Sequence, residues 1–456
     1  MTSTAQSPVI STRTGLGFGV GALGSGVFNT VPSLLLLFYL TSILGLPAAL
    51  AGAAVLVPKI WIVLIDPFIG HWSDGATTRW GRRKPFMAAG AILSAATFIV
   101  LFSLPQAPVA ATFVLVLLAY TICSTANAFF AVPYLSLPVE MTPDAHQRTR
   151  LMAFRMVFLL VGILLAGAVA PTLVDHFGGG RDGYAAMAVV MALIFGSAKL
   201  TAAIAVREGR VETSQRNAHG LVTQVKLATK NRLFLVLLTA FLIQSAGIGM
   251  FSATLPYYAQ YRLGLGGDGV TLIFTSLAIT GMLVMPVWPR VSRKIGKIPA
   301  YTISAVVLAV GMALFALTPT GFQSDHAFAL IALGVITGVG FGGQQLLSFA
   351  LLPDFIEKDF ELTGLRREAA YAGVWSALEK VALGLGAMGA GAILQLFGYV
   401  SSAGERAAQS DGAIFGVLIA FAVAPAIVTV ISLWPLRALN AANKAHAGTA
   451  APIQRV

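Results

Sequence analysis

The sequence predicts an all-α integral membrane protein whose twelve transmembrane helices form two six-helix bundles related as parallel repeats. Three observations carry that prediction. Only 11% of the 456 residues are charged and 57% are apolar, whereas a soluble domain carries about 25% charged residues. Apolar runs of around 20 residues recur along the chain, each long enough to cross roughly 30 Å of hydrocarbon as a helix. Two unrelated loops also recur at one offset. Gly81-Arg82 matches Gly296-Lys297 and Leu137-Pro138 matches Leu352-Pro353, both 215 residues apart (296 − 81 and 352 − 137), with an acid after the second pair in each half, Glu140 and Asp354. Parallel repeats of this kind place a ligand site between the halves near mid-membrane. Backbone groups find no water in the hydrocarbon, which leaves helices or a closed barrel, and these runs are too long and continuous for barrel strands.

In chain order the spans, helices 1 to 12, fall at about 14–43, 47–73, 85–104, 108–141, 150–174, 182–205, 232–262, 268–291, 298–317, 326–354, 369–398 and 411–437. The longest connection divides them six and six: an N-terminal bundle (1–205), a central cytoplasmic loop (206–231) and a C-terminal bundle with a short cytoplasmic tail (232–456). Within the loop, Leu221, Val222, Val225 and Leu227 among Lys226 and Lys230 are compatible with a short amphipathic helix on the membrane surface.

The net charge of +12 invites a nucleic-acid reading, but its placement argues against one. Roughly 23 Lys and Arg fall on one side, Arg181, Arg262 and Arg406 on the other, and four within spans. This is the positive-inside pattern, so both termini are expected in the cytoplasm of a bacterial-type inner membrane. Residues 1–12 lack a cationic start followed by an apolar core, so no cleavable signal is expected. The single cysteine, Cys123, excludes an intrachain disulfide and a Cys-rich metal site. The six histidines show no zinc-ligand spacing, no nucleophile–base constellation is legible, and no cofactor is expected. An enzyme is not predicted.

Candidate functional residues stand out as polar groups at apolar depth. Residues 58–85 begin as membrane helix, carry Asp66, and exit through Gly70, Ser73 and Asp74 onto Arg79, Gly81, Arg82, Arg83 and Lys84. An intramembrane acid costs roughly 2.5–3.5 kcal/mol on insertion scales and is a functional candidate by default. Lys59, Asp66, Gly70 and Asp74 share one helical face, which allows either a Lys59–Asp66 neutralising pair or an ion or proton site inside a cytoplasmic gate. Helix 1 contributes Asn29 and helix 4 contributes Asn127 with Pro133, which can kink it; helix 5 carries Arg150 at its start and Arg155 deeper. Gln244 of helix 7 and Gln344 and Gln345 of helix 10 fit interhelical bonding and ligand contact equally. In helix 11, Tyr371, Trp375 and Glu379 are spaced by four and Lys380 adjoins them. Aromatics stack on the apolar face of a sugar ring and charged groups bind hydroxyls, although Glu379 can equally pair with a neighbouring cation. A cytoplasmic gate is expected in which Arg79, Arg82 and Arg83 pair with Asp74 and with the acids ending helices 4 and 10, Glu140 and Asp354, with Arg366 and Arg367 as further gate salt bridges.

The run Asp66-Pro67-x-x-Gly70-x-x-Ser73-Asp74-x-x-x-x-Arg79-x-Gly81-Arg82-Arg83-x-Pro85 resembles the glycoside–pentoside–hexuronide:cation symporters, the melibiose-permease group of the major facilitator superfamily. Leu352-Pro353-Asp354, Thr363-Gly364-x-Arg366-Arg367-Glu368 and Lys380 extend the resemblance over nearly the whole chain. The stretch 73–90 also looks like the proton-coupled sucrose transporters.

The resemblance implies the major facilitator fold, alternating access, a sugar or glycoside as substrate, and a monomer. It places Asp66 at the second cation-site acid and Lys380 at the helix-11 lysine near both sites, with Lys59 where the family often has arginine. The chain departs from the family at Ile62, which stands for the first helix-2 acid, and at Gly26 and Ala131, which stand near the sugar-binding acids. A sodium ion wants several hard oxygen ligands, whereas one carboxylate suffices for a proton, so proton coupling or uniport is expected rather than sodium coupling. The departures leave open a non-sugar amphipathic solute, and a non-transporting sensor or assembly factor is the third reading.

Overall fold

In a computed structural model, residues 11–142, 144–206, 231–321, 327–363, 368–403 and 407–437 are described. Every regular element among them is a helix. Twelve helices are long and apolar enough to span a bilayer: Thr12–Ser42, Ala48–Gly75, Lys84–Leu101, Val109–Pro138, His146–His176, Gly180–Ala205, Arg232–Leu263, Gly266–Val284, Lys297–Leu317, Ala327–Glu357, Tyr371–Leu396 and Asp411–Arg437. The shortest has 18 residues and rises roughly 27 Å, just the hydrocarbon thickness. The boundaries expected from sequence agree within a few residues except in helix 8. There the helix stops at Val284 and a separate short helix runs Trp288–Ile295, because Pro286 and Pro289 interrupt the ladder of backbone N–H donors. Helix 4 accommodates Pro133 inside an uninterrupted α-helix, Val109–Met141. The amphipathic stretch of the central loop and the C-terminal tail lie outside the described residues.

Within the first six helices, helix 1 packs on helices 5 and 6, helix 3 on helices 4 and 6, and helix 2 on helix 4. Within the last six, helix 7 packs on helices 11 and 12, and helix 10 on helices 8 and 9. Helices 1 and 7 each carry Thr-x-Pro, at Thr30–Pro32 and Thr254–Pro256, and each widens into a π segment, Pro32–Leu36 and Tyr258–Leu263. Proline removes an N–H donor, and π segments often mark functional positions.

The bundles meet through helix 2 against helix 11, helix 5 against helix 8, and the π segment of helix 1 against helix 7. We call the side with the Arg79–Lys84 turn the basic side and the opposite one the far side. Interbundle hydrogen bonds gather on the far side. Thr41 Oγ1 lies 2.6 Å from Tyr257 Oη and Ser42 Oγ 2.7 Å from Tyr399 Oη. The Gly267 N–H donates to Asp175 Oδ2 at 2.8 Å, and the Ser402 N–H donates to the Thr41 carbonyl at 3.1 Å.

Candidate functional site

The two turns on the basic side are built alike. Gly81 (φ 109°) and Gly296 (φ 92°) turn the chain in a conformation that L side chains avoid. The cation after each glycine then reaches the end of the fourth helix of its own bundle. Arg82 pairs with Glu140, and Lys297 Nζ donates to both carboxylate oxygens of Asp354 at 2.7 Å. The N-terminal bundle adds Arg83, whose guanidinium bonds Glu140 and Asp74 at 2.7 Å each.

The contacts of Arg82 and Arg83 with Glu140 and Asp74 are among the expected gate pairs, and the expected gate is corrected at Asp354 and Arg79. Asp354 is taken by Lys297 and makes no pair with Arg79, Arg82 or Arg83 among the described residues. Arg79 sits over the Trp80 ring at 5.6 Å, on an exposed turn. Each bundle ties its own corner because the repeat puts a cation and an acid within reach locally. Arg366 and Arg367 lie outside the described residues.

One ion pair joins the bundles among the described residues. Lys380 Nζ of helix 11 donates to Asp66 Oδ2 of helix 2 at 2.8 Å, with the side chains 45% and 25% exposed. Asp66 Oδ1 is buried without a hydrogen-bond partner, so one acceptor of the carboxylate stays open. Lys59 makes no pair with Asp66. Seven residues are two turns, roughly 10 Å along the axis, and the lysine stem instead lies against Gly384 of helix 11. Glu379 is half-buried and forms no ion pair among the described residues.

The structure sorts the remaining candidates. Asn29 is exposed on helix 1, and Arg155 and Gln345 are half-buried; the Arg155 Nε is buried without a partner. Tyr371 and Trp375 leave the site altogether. Both are fully buried in the C-terminal bundle, Trp375 stacked on Phe241 at 4.2 Å and Tyr371 edge-on to Phe234 at 4.6 Å. Their spacing of four identifies a shared face, but that face packs on helix 7.

The three departures from family pattern prove to be packing positions or small apolar ones. A Cβ at Gly26 would lie 2.5 Å from the Leu159 carbonyl oxygen, so helix 5 closes on helix 1 where an acid would stand. Ile62 packs with Ile69 and Ala128 in a small apolar cluster between helices 2 and 4. Ala131 is half-buried nearby.

One residue that sequence reading passed over is Lys199 of helix 6. It is fully buried, and its Nζ lies 2.7 Å from Asn127 Oδ1. Its signal was present: a lysine inside an apolar span with no acid within a turn or two. No group of three or more His, Cys, Asp or Glu side chains that could hold a metal occurs among the described residues.

Residues 17–440 match the profile of the MFS/sugar transport protein family. The chain is 24% identical to an uncharacterized symporter of Synechocystis, over 93% of each. It is 25% identical to the glucuronide carrier protein homolog of Escherichia coli K12, over 93% of this chain and 92% of that one. Its fold matches a bacterial homolog of the human lysosomal transporter Spinster in an inward-facing, occupied conformation, with TM-score 0.72, 12% identity, and 96% and 98% of the two chains covered.

Proposed function

The chain belongs to the MFS/sugar transport protein family, and from that premise we propose that it is a proton-coupled symporter of a sugar or glycoside working by alternating access. The basic side is cytoplasmic by the positive-inside rule, which puts both termini in the cytoplasm of a bacterial plasma membrane. With interbundle hydrogen bonds gathered on the far side and each cytoplasmic corner tied within its own bundle, the conformation is open to the cytoplasm. The protein is a monomer in this reading, as the site lies between two bundles of one chain.

The observation that carries the reading is the Asp66–Lys380 pair. It is the point where charge couples helix 2 to helix 11. A proton on Asp66 and the ion pair with Lys380 exclude one another, so protonation releases the bundles for rearrangement. The proton and the substrate move the equilibrium only through different affinities for its two states. One carboxylate with an open oxygen suits a proton, whereas the Ile62–Ala128 contact occupies the space in which further hard ligands for sodium would stand. Asn29, Asn127, Arg155, Gln345 and Lys380 supply the polar contacts to the substrate.

The test is uptake of labelled mono- and disaccharides into proteoliposomes under an imposed pH gradient, with and without sodium. One sugar should accumulate in a way that collapses with the pH gradient and ignores sodium. Asp66→Asn should reduce that accumulation to the equilibrium ratio while sparing counterflow; unchanged accumulation in this variant would refute the coupling role. A second reading, a non-sugar amphipathic solute, is favoured by the apolar replacements at Gly26 and Ile62. Flux of amphiphiles but no sugar would select it, and no flux at all would select a sensor or assembly factor.

A further inference from the structure

Lys199 is a fully buried lysine with no carboxylate partner among the described residues. Its Nζ lies 2.7 Å from Asn127 Oδ1 and 3.4 Å from Ser94 Oγ. The rings of Phe28, Phe195 and Phe130 surround it at 4.4, 4.6 and 5.5 Å, a cage that favours a cation. Helix 1 makes room for the lysine stem at Gly24, where a Cβ would lie 2.8 Å from Lys199 Cγ. A charge held this carefully at membrane depth, away from any acid, asks for a role.

Asn127, the partner, keeps partial exposure on the face of helix 4 that looks into the bundle. An asparagine amide is ambiguous: its oxygen accepts, its nitrogen donates twice, and a rotation by half a turn exchanges them. An ammonium removes the ambiguity, because it has three donors and no acceptor. The Asn127 oxygen must face Lys199, and the two N–H donors must face away from it.

We propose that Lys199 is a positioning residue that fixes Asn127 as a donor-only reader of the substrate, so that this position selects an acceptor oxygen and rejects a group that can only donate. On a sugar the acceptor is a ring, glycosidic or carboxylate oxygen, or the lone pair of a hydroxyl. The inference rests on the reading that Asn127 touches the substrate. It adds which half of the amide does so and why.

The experiment compares Asn127→Asp, Asn127→Ala and Lys199→Met in the full-length protein. Two readouts are used: thermal unfolding in detergent, and counterflow of methyl glycosides of glucose, galactose, xylose and glucuronic acid with their deoxy and deoxyfluoro derivatives. Asn127→Asp keeps the acceptor for Lys199 and removes both donors. Its melting temperature should equal or exceed that of the parent while KM rises roughly tenfold or more, the scale of one or two lost hydrogen bonds. In the parent, replacing the recognised hydroxyl by fluorine, which still accepts, should cost less than removing it. Lys199→Met frees the amide to rotate and should erase that fluoro-versus-deoxy difference.

Asn127→Asp with parental KM would overturn the proposal, as would destabilisation equal to that of Asn127→Ala. If Asn127→Ala itself leaves KM unchanged, Asn127 is no substrate contact, and proton coupling at Asp66 stands apart from that result. If no glycoside moves, the sugar reading falls, and the unfolding comparison still decides whether Lys199 donates to position 127.

Discussion

In the N-terminal bundle the turn after helix 2 drives Arg83 into the protein, where it bonds Asp74 and Glu140 with side chains of Arg83 and Glu140 only 7% and 9% exposed. The equivalent turn after helix 8 holds Lys297 against Asp354 with both side chains more than 40% exposed. The interiors diverge further. The first bundle keeps polar groups inside, with Lys199 bonded to Asn127 and an unpartnered Arg155 Nε. The second keeps neutral polar groups inside, Gln244 bonded to Ser432 and a buried Gln344, and packs Trp375 and Tyr371 on Phe241 and Phe234. Parallel repeats have kept the corner ties while the interiors diverged: one half buries Lys199 against Asn127, the other stacks aromatics on helix 11, the helix that carries Lys380 to Asp66.

The sharpest way to break that contrast lies in the aromatic wall. Trp375→Ala should destabilise the protein by about 3–5 kcal/mol, the range for deleting a large buried aromatic, read as a lowered melting temperature. Trp375→Phe, which retains a ring on Phe241, should leave substrate KM unchanged. A raised KM with an unchanged melting temperature would return Trp375 to the substrate site and erase the difference between the halves.

The corner ties offer a smaller and paired effect. Arg83→Met leaves Glu140 poorly compensated in a buried setting and should cost up to about 3 kcal/mol, the low end for a broken buried pair because Asp74 is half-exposed. Lys297→Met breaks a solvated pair and should cost only about 0.2–1 kcal/mol. Equal losses in thermal unfolding would mean that exposure does not distinguish the two corners.

The last effect concerns what holds the halves together. Tyr399→Phe removes hydrogen bonds to Ser42 and Tyr261 at 2.7 and 3.2 Å. Only the Ser42 bond crosses the bundles, and at about 0.5–1.5 kcal/mol for that one bond the population open on the far side should rise by roughly two- to tenfold. Thiol labelling of Gln260→Cys reads this directly, since the native Cys123 is buried. Unchanged labelling would show that these tyrosine contacts do not latch the far side.

Hydrophobic run length, the placement of Lys and Arg, and two loops at one offset determined the class of this protein, its twelve spans and its repeat, because each is a property of order along the chain. The acid at Asp66 and the helix-11 cation at Lys380 were legible for the same reason: a charge at apolar depth stands out in one dimension. Partners were not. Lys59 shares a face with Asp66 yet lies two turns away, and Lys380, 314 residues distant in sequence, takes the carboxylate. Asp354 was expected to reach across the bundles and finds Lys297 nearer. Tyr371 and Trp375 keep the predicted shared face, but periodicity does not say whether a face meets water, lipid or another helix; tertiary packing turned it toward Phe234 and Phe241. Tertiary structure also decided the roles of Gly26 and Lys199, one because a helix closes on it, the other because only three helices brought together can cage an ammonium.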